Sequence, residues 1–569
     1  MDADNVEEAL SEPLLNEEPP AYPEISGEAP PEYAFSDLSS DANPEERRES
    51  ICSVFGKIPT IAYILVSMVV FIIILFLTAG LLPPSTDIPP DFNYTNHTSN
   101  SVPPLLFKKL LLNDTDSSAP KGIHISLTES PTAIHIQFST TNIGKPVVEI
   151  AERDNPSEAK KFDGESTTYQ ISDMCVKNQS AASIKNFVPP GQLHTITVTD
   201  LKVNTAYVYR AGISFGQGIR WSEYIGPLWT SKPAGFSPPS SGKNSSKPAI
   251  TILVLADQGV ANGTITGCPN SAGAGAGQNV TRLITSLSLN HTVDSVHIIG
   301  DLSYADGNTH IWDRYMNMIE PFASRIPTMV AVGNHEYDYT RGDGSKKDGS
   351  GVRTNETFHP SWGGRGFWDE GGECGVPIVK RFASPNNGNS VFWYSFEQSL
   401  VHTIVLSSEH NMTKGSEQYN FLETDLSGIN RTVTPWVVVE LHRPIYNGVK
   451  YWTQDAIEIA MRYEIEELLH LHRVDLVMSG HYHAYLRSCD GLYREKCSND
   501  GPQYVTIGTG GGALDCGLSL ITDHYTEKLD KKHFGVGRVS VYNASALHFE
   551  FVALGQEVVD DFWLFRQRN

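Results

Sequence analysis

The chain has 569 residues, too many for one hydrophobic core, so several domains are expected. Its formal charge of −23, from 43 Lys and Arg against 66 Asp and Glu, excludes a broadly basic, nucleic-acid-binding protein. The charge is uneven: residues 1–50 hold 15 acidic residues and two Arg, a net of −13, so the remainder is only mildly acidic.

Residues 1–57 are rich in Glu, Pro and Ser and lack apolar periodicity. Such a segment cannot bury enough surface to offset chain entropy, so a disordered tail is expected. It carries two PPxY elements, Pro19-Pro20-Ala21-Tyr22 and Pro30-Pro31-Glu32-Tyr33. Paired prolines pre-set an extended left-handed helix, and the Tyr two positions on suits the aromatic groove of a WW domain. WW-domain proteins, WW-containing ubiquitin ligases among them, are therefore expected partners. Tyr22-Pro23-Glu24-Ile25 fits a tyrosine-based sorting pattern.

Residues 58–82 are almost wholly apolar and uncharged, long enough to cross a bilayer as a helix. Arg47, Arg48 and Lys57 precede them, whereas Asp87 and Asp91 follow, which places the N-terminus in the cytosol. The long acidic tail ahead argues against a cleaved signal peptide. A single-pass type II membrane protein is expected, with the rest of the chain lumenal or extracellular, at the endolysosomal membrane or the cell surface. N-glycosylation sequons agree with that orientation, since all lie after the span: Asn93, Asn96, Asn113, Asn178, Asn244, Asn262, Asn279, Asn290, Asn355, Asn411, Asn430 and Asn543. Six cysteines also follow the span and suit up to three disulfides, with Cys489 and Cys497 near enough to close a small loop.

Residues 83–118, rich in Pro, Asn and Ser, read as a stalk. Short alternating segments from Gly122 to Arg210 then predict an all-β domain of fibronectin type III form over residues 119–240. A Ser/Pro/Gly stretch from Pro233 to Lys247 bounds it. From residue 247 to 525, apolar strand-like runs alternate with helical stretches, which predicts an α/β domain. Strands are expected at Ala249–Leu255, Val296–Ile299, Thr328–Val332, Trp436–Leu441 and Val474–Met478. Helices are expected near Val280–Leu289, His310–Ala323 and Glu458–His472. Residues 526–569 add final strands.

Each strand-like run ends in chemistry: Asp257-Gln258-Gly259, Gly300-Asp301-Leu302-Ser303-Tyr304, Gly333-Asn334-His335-Glu336, Val439-Glu440-Leu441-His442 and Gly480-His481-Tyr482-His483. Ligands gather at the carboxyl ends of strands in α/β sheets. Two cations held close together need a shared carboxylate and several neutral nitrogen or oxygen donors, and these motifs supply them. Gly508-Thr509-Gly510-Gly511-Gly512 lacks the Lys-Ser/Thr ending of a nucleotide P-loop and reads as a tight loop near the site.

These motifs resemble those of the purple acid phosphatases, within the calcineurin-like metallophosphoesterases: DxG, GDxxY, GNH[DE], VxxH and GHxH. The resemblance covers residues 120–569, and Tyr304 separates this pattern from most metallophosphoesterases. It implies a metallophosphoesterase β-sandwich flanked by helices, preceded by the fibronectin-like domain. It implies Fe(III) on Asp257, Tyr304 and His483, a divalent Fe, Zn or Mn on Asn334, His442 and His481, and Asp301 bridging. Phenolate and carboxylate donors suit the ferric ion, imidazole and amide the divalent one. His335 would assist the leaving group, and a metal-activated hydroxide would hydrolyse phosphate monoesters in acid. The alternatives are a nucleotide pyrophosphatase or phosphodiesterase on the same site, and a non-catalytic surface receptor. One departure stands out: the loop Asn447-Gly448-Val449-Lys450-Tyr451-Trp452 lacks the histidine pair that some plant members carry.

Overall fold

The computed structural model describes residues 119–174, 187–216, 218–237, 247–261, 275–289, 291–337, 373–448, 455–497, 500–515 and 522–566. The expected tail, PPxY elements, span and stalk lie outside them, as do the sequons at Asn93, Asn96, Asn113, Asn178, Asn244, Asn262, Asn290 and Asn355. No helix among the described residues is long and apolar enough to cross a membrane.

The N-terminal domain is a two-sheet sandwich. One sheet has the order β1-β2-β6-β5, formed by β1 (Lys121–Leu127), β2 (Ile134–Thr140), β6 (Gln192–Val198) and β5 (Glu165–Thr167). The other runs β4-β3-β7-β8, from β4 (Lys160–Asp163), β3 (Lys145–Glu152), β7 (Ala206–Phe215) and β8 (Gly218–Trp221), with β9 (Ile225–Trp229) also pairing β7. Ile123 and Ile125 of β1 join Ile136, Ile150, Ile196 and Tyr209 between the sheets. The alternate residues of β1 face the next domain, because side chains alternate across a strand. Gly122 N–H donates to Glu320 at 2.9 Å, and His124 Nε2 lies 2.8 Å from the Arg381 carbonyl. The sandwich is thus packed onto the second domain through the face of its first strand.

The second domain stacks two mixed sheets. The first has the order β12-β11-β10-β22-β23-β24. Its parallel half is β10 (Ile250–Leu255), β11 (Ser295–Ile299) and β12 (Thr328–Ala331), and its antiparallel half is β22 (Gly535–Val541), β23 (Ala546–Ala553) and β24 (Val558–Phe565). The expected C-terminal strands therefore complete the same sheet as β10. The second sheet runs β13-β14-β15-β16-β20-β17-β21. Its strands are β13 (Tyr394–Gln398), β14 (Val401–Val405), β15 (Trp436–Glu440), β16 (Leu476–Ser479), β17 (Tyr485–Ser488), β20 (Gln503–Ile507) and β21 (Thr526–Asp530). A small hairpin of β18 (Leu492–Tyr493) and β19 (Lys496–Cys497) carries the Cys489–Cys497 disulfide, as expected from their spacing.

Strand parity builds the layers. Ile252 and Val254 point between the sheets with Val438, Met478 and Val505. Leu253 and Leu255 point outward, into a cluster with Val280 and Ile284 of α1 (Gly277–Leu287) and Trp312 and Ile319 of α2 (Thr309–Ala323). On the second sheet Val437 and Val439 share that outward cluster with Leu422 of α5 (Glu417–Gly428) and Ile465 of α6 (Asp455–Leu471). Two short helices, α3 (Asn334–Tyr337) and α4 (Val376–Arg381), follow β12. This is the expected β-sandwich flanked by helices. Strands β13 and β14 and helix α5 were not foreseen.

Trp436 is fully buried between the sheets and donates to the Asn543 carbonyl at 2.8 Å. Trp436→Ala is expected to lower stability by about 3–5 kcal/mol, measured by urea unfolding followed by circular dichroism. Ile459→Ala, at a 54% exposed position, should change it by less than about 0.5 kcal/mol.

Candidate metal centre

Parallel pairing puts the ends of β10, β11 and β12 at one level: Leu255 pairs with Ile298, and Ile299 with Ala331. The ladder continues into the loops, with Asp257 N–H bonded to Gly300 O at 3.1 Å and Gln258 N–H to Asp301 O at 3.1 Å. In the second sheet, Gly480 N–H bonds to His442 O at 2.8 Å, and across the gap Ala256 N–H bonds to Ile507 O at 3.1 Å and Gly510 N–H to Ala256 O at 2.9 Å. The two sheets are therefore stitched together at this end, and the five motifs meet there.

Asp257, Tyr304 and His483 converge. The Tyr304 hydroxyl donates to Asp257 Oδ1 at 3.0 Å and lies 2.8 Å from His483 Nε2, which is 3.4 Å from Asp257 Oδ1. Asp301, Asn334, His442 and His481 form the second group. His442 Nε2 is 3.2 Å from Asp301 Oδ2 and 3.2 Å from Asn334 Oδ1. Ligand atoms of Asp301, His442 and His481 lie within 4.8 Å of one another. Asp257 Oδ2 also accepts from His481 N–H at 2.8 Å, which ties the two groups.

His335 sits beside the centre. Its backbone N–H donates to Asp301 Oδ1 at 3.0 Å, its Nδ1 lies 2.8 Å from Asp306 Oδ1, and its Nε2 is 3.8 Å from Asp301 Oδ2. Asp306 fixes the ring orientation and leaves Nε2 on the side of the centre.

The titrations follow from burial and from opposite charge. Burial alone would raise Asp301, but the His442 and His335 imidazoles outweigh it and hold the carboxyl well below the usual range. Burial would lower His442 and His483, but Asp301 and Asp257 respectively push each up to about 9. Burial, reinforced by Asp257 and Asp301, raises the Tyr304 phenol well above its ordinary value. His481 is held well below its ordinary value by burial and then by Arg443.

The backbone is forced into shape here. Asp257, Asp301, Tyr304 and His481 all adopt left-handed φ, between 50° and 71°, at a cost on the order of 1 kcal/mol each. Two buried carboxylates hold the loops. Glu336 accepts from Asp301 N–H and Leu302 N–H, both at 2.8 Å, and from Gly333 N–H at 3.1 Å. Glu373 accepts from Gly307 N–H at 3.0 Å and from Trp312 Nε1 at 3.0 Å. Space is equally tight: a Cβ on Gly333 would stand 2.2 Å from Asp301 Oδ1, and one on Gly300 would stand 2.4 Å from His442 Nδ1. Gly512 N–H donates to Asp257 O at 2.6 Å, so the glycine-rich loop lies against the site as expected.

All seven expected ligands and His335 are thus brought together. Sequence reading gave no role to Glu336, Glu373, Asp306 or Arg443. Glu336 stands inside the GNHE motif, where its signal was present; Glu373 has no local signal. In the loop lacking histidines, buried Asn447 turns inward, donating to Tyr482 Oη at 2.8 Å and to Glu458; residues 449–454 lie outside those described. Among the described sequons, Asn430 and Asn543 are exposed and Asn411 is half-buried. Asn279 differs: it lies in α1, its oxygen accepts from Arg282, and Thr281 is buried, which disfavours a glycan there.

The arrangement defines a metallophosphoesterase-type site. Family models match in three stretches: calcineurin-like phosphoesterase over residues 250–485, purple acid phosphatase N-terminal domain over 120–225, and iron/zinc purple acid phosphatase-like protein C over 501–561. A nucleotide pyrophosphatase/phosphodiesterase of Hordeum vulgare is 30% identical over 60% of this chain and 88% of its own. The probable inactive purple acid phosphatase 27 of Arabidopsis thaliana is 28% identical over 75% of this chain and 66% of its own. Against that protein and three others similarly named, this chain spans 57 to 66% of their length. A solved structure, the purple acid phosphatase PPD1 from yellow lupin (Lupinus luteus) seeds, superposes with a TM-score of 0.66 at 26% identity, over 79% of this chain and 75% of that one. The chain belongs to the purple acid phosphatase family.

That family uses a dinuclear metal centre, and the residues present fit one. His442 Nδ1 faces the Ile299 carbonyl at 3.1 Å and His483 Nδ1 the Ala513 carbonyl at 2.6 Å, so each ring turns Nε2 toward the carboxylates. The carboxylates that push His442 and His483 up would favour a cation at each Nε2 as they favour a proton, so metal binding would displace any proton there.

Gly333→Ala is expected to push Asp301 aside and leave a folded protein with well under stoichiometric metal, measured by mass spectrometry of bound metals. Burial raises Glu373 to about 8 from 4.5, so its contribution to stability is full below about 4.5 and lost as pH rises through about 8. Thermal unfolding of Glu373→Gln should therefore show a smaller fall in Tm between about pH 5 and 8 than the unsubstituted protein.

Proposed function

We propose that this chain hydrolyses phosphate monoesters under acidic conditions at a dinuclear centre of Fe(III) and a divalent Fe, Zn or Mn. The observation that carries the reading is the Tyr304 hydroxyl, set 3.0 Å from Asp257 and 2.8 Å from His483 among donors suited to a hard trivalent ion. Asp257, Tyr304 and His483 would hold that ion, Asn334, His442 and His481 the divalent one, and Asp301 both. When bound, such a pair supplies Lewis acidity toward the phosphoryl group and lowers the pKa of water. His335, oriented by Asp306, presents Nε2 toward the reacting oxygens, where it can give a proton to the leaving group or stabilise developing charge.

The reading includes a type II membrane anchor at residues 58–82, glycans on the distal side and WW-domain partners for the tail. It rests there on the apolar run, the charge asymmetry and the two PPxY elements. A second reading, hydrolysis of nucleotide pyrophosphates or phosphodiesters, is favoured by the name of the barley relative. Four relatives named probable inactive keep a non-catalytic role in view, and the complete set of eight site residues argues against it.

A phenolate-to-iron(III) absorption band is expected in the visible spectrum and should vanish in Tyr304→Phe; a folded, unstripped protein with neither band nor metal would end the reading. His335→Ala should lower kcat by about 10²- to 10⁴-fold with metal retained. Higher kcat/KM for a diester than for a monoester would transfer the assignment to the second reading.

A further inference from the structure

Arg443, directly after His442, is held in a fixed attitude at the edge of the centre. Its Nε donates to Glu409 Oε1 at 2.6 Å and its Nη2 to Glu409 Oε2 at 3.3 Å, a fork that a lysine cannot reproduce. Glu409 is buried, and Ser408 links the two strand ends by donating to Glu409 Oε1 at 3.1 Å while accepting Arg443 N–H at 3.0 Å. The fork directs Nη1 at the centre, 3.1 Å from His481 Nε2. The single lone pair of that nitrogen serves either the guanidinium or a cation. In the metal-loaded protein that contact gives way to the cation, and the site's chemistry supplies an anionic acceptor within the reach of Nη1. In the loop that follows, Asn447 is turned toward Glu458 and Tyr482.

We propose that Arg443, oriented by Glu409, is a phosphoryl-recognising residue, donating from Nη1 to a non-bridging oxygen of a phosphate ester or of inorganic phosphate on the divalent side of the centre. This rests on the phosphoesterase reading above. A guanidinium stays charged across the working pH range, so the grip on phosphate persists where an imidazole's would fade.

The test uses the full-length metal-loaded protein, with inorganic phosphate as the probe in calorimetry, bound-metal analysis, and KM and kcat for a chromogenic monoester. Arg443→Met is expected to retain metal while the phosphate Kd and KM rise about ten- to a hundredfold, as for loss of a charged hydrogen bond. Arg443→Lys should fall between Met and the native residue, because it keeps the charge and loses the fork. Glu409→Gln should weaken phosphate less than Arg443→Met does. Unchanged phosphate affinity in a metal-replete Arg443→Met protein would overturn the proposal. So would loss of metal as the primary defect, which would make Arg443 a strut for His481. If Arg443→Met does not fold, Arg443→Lys decides: unchanged Kd and KM overturn the proposal. A native protein that holds metal but neither binds phosphate nor cleaves esters would instead end the phosphoesterase reading itself.

Discussion

The centre depends on one buried charge. Asp301 is 2% exposed, and an isolated carboxylate in such a place costs several kcal/mol unless compensated. Compensation comes from His442, from the His335 ring and from the His335 backbone N–H. Meeting those partners requires the chain to turn sharply at the end of β11, which it does in the left-handed region at Asp301 and again at Tyr304. Glu336 holds that turn by taking the N–H groups of Asp301 and Leu302, and glycines at 300 and 333 leave it room. Backbone strain, buried acids and tight glycines are thus consequences of burying one carboxylate among the candidate metal ligands.

The larger architecture delivers the groups to that point. The parallel strands of each sheet are buried on both faces, which explains the near-continuous apolar runs of β10, β11 and β15. Between the sheets the layers are apolar apart from the buried His297–Glu440 pair, and at the carboxyl ends of the parallel strands the backbones hydrogen-bond across the gap. The N-terminal sandwich is attached by the outward face of β1 to α2 and α4, at the helical flank of the first sheet. The sandwich therefore covers helix surface, and the seven ligands all come from the second domain.

Much of the site was legible because strand and motif coincide. An apolar run that stops at a Gly and a ligand-type residue reports both the strand and its end, so Asp257, Asp301, Tyr304, Asn334, His335, His442, His481 and His483 were each identifiable by local pattern. The block from 361 to 430 was not: Tyr394–Gln398, Val401–Val405 and Glu417–Gly428 are ordinary elements without a motif to mark them. Glu373 and Glu409 look like unremarkable acids in loops. Their roles exist only because distant segments meet, Glu373 with Trp312 and Glu409 with Arg443.

The sequence by itself determined the chemistry of the ligands, the order in which they are delivered and the two fold classes, since hydrophobic period and residue type are local properties. The acidic tail, the apolar run and the sequon asymmetry are likewise written in composition. Tertiary structure alone decided which carboxylate lies against which imidazole, which acids are buried and raised, that Asn447 turns toward Glu458 and Tyr482, and that Arg443 faces His481. These are matters of distance between segments far apart in the chain, and electrostatic energy depends on that distance and on burial, neither of which a linear pattern contains.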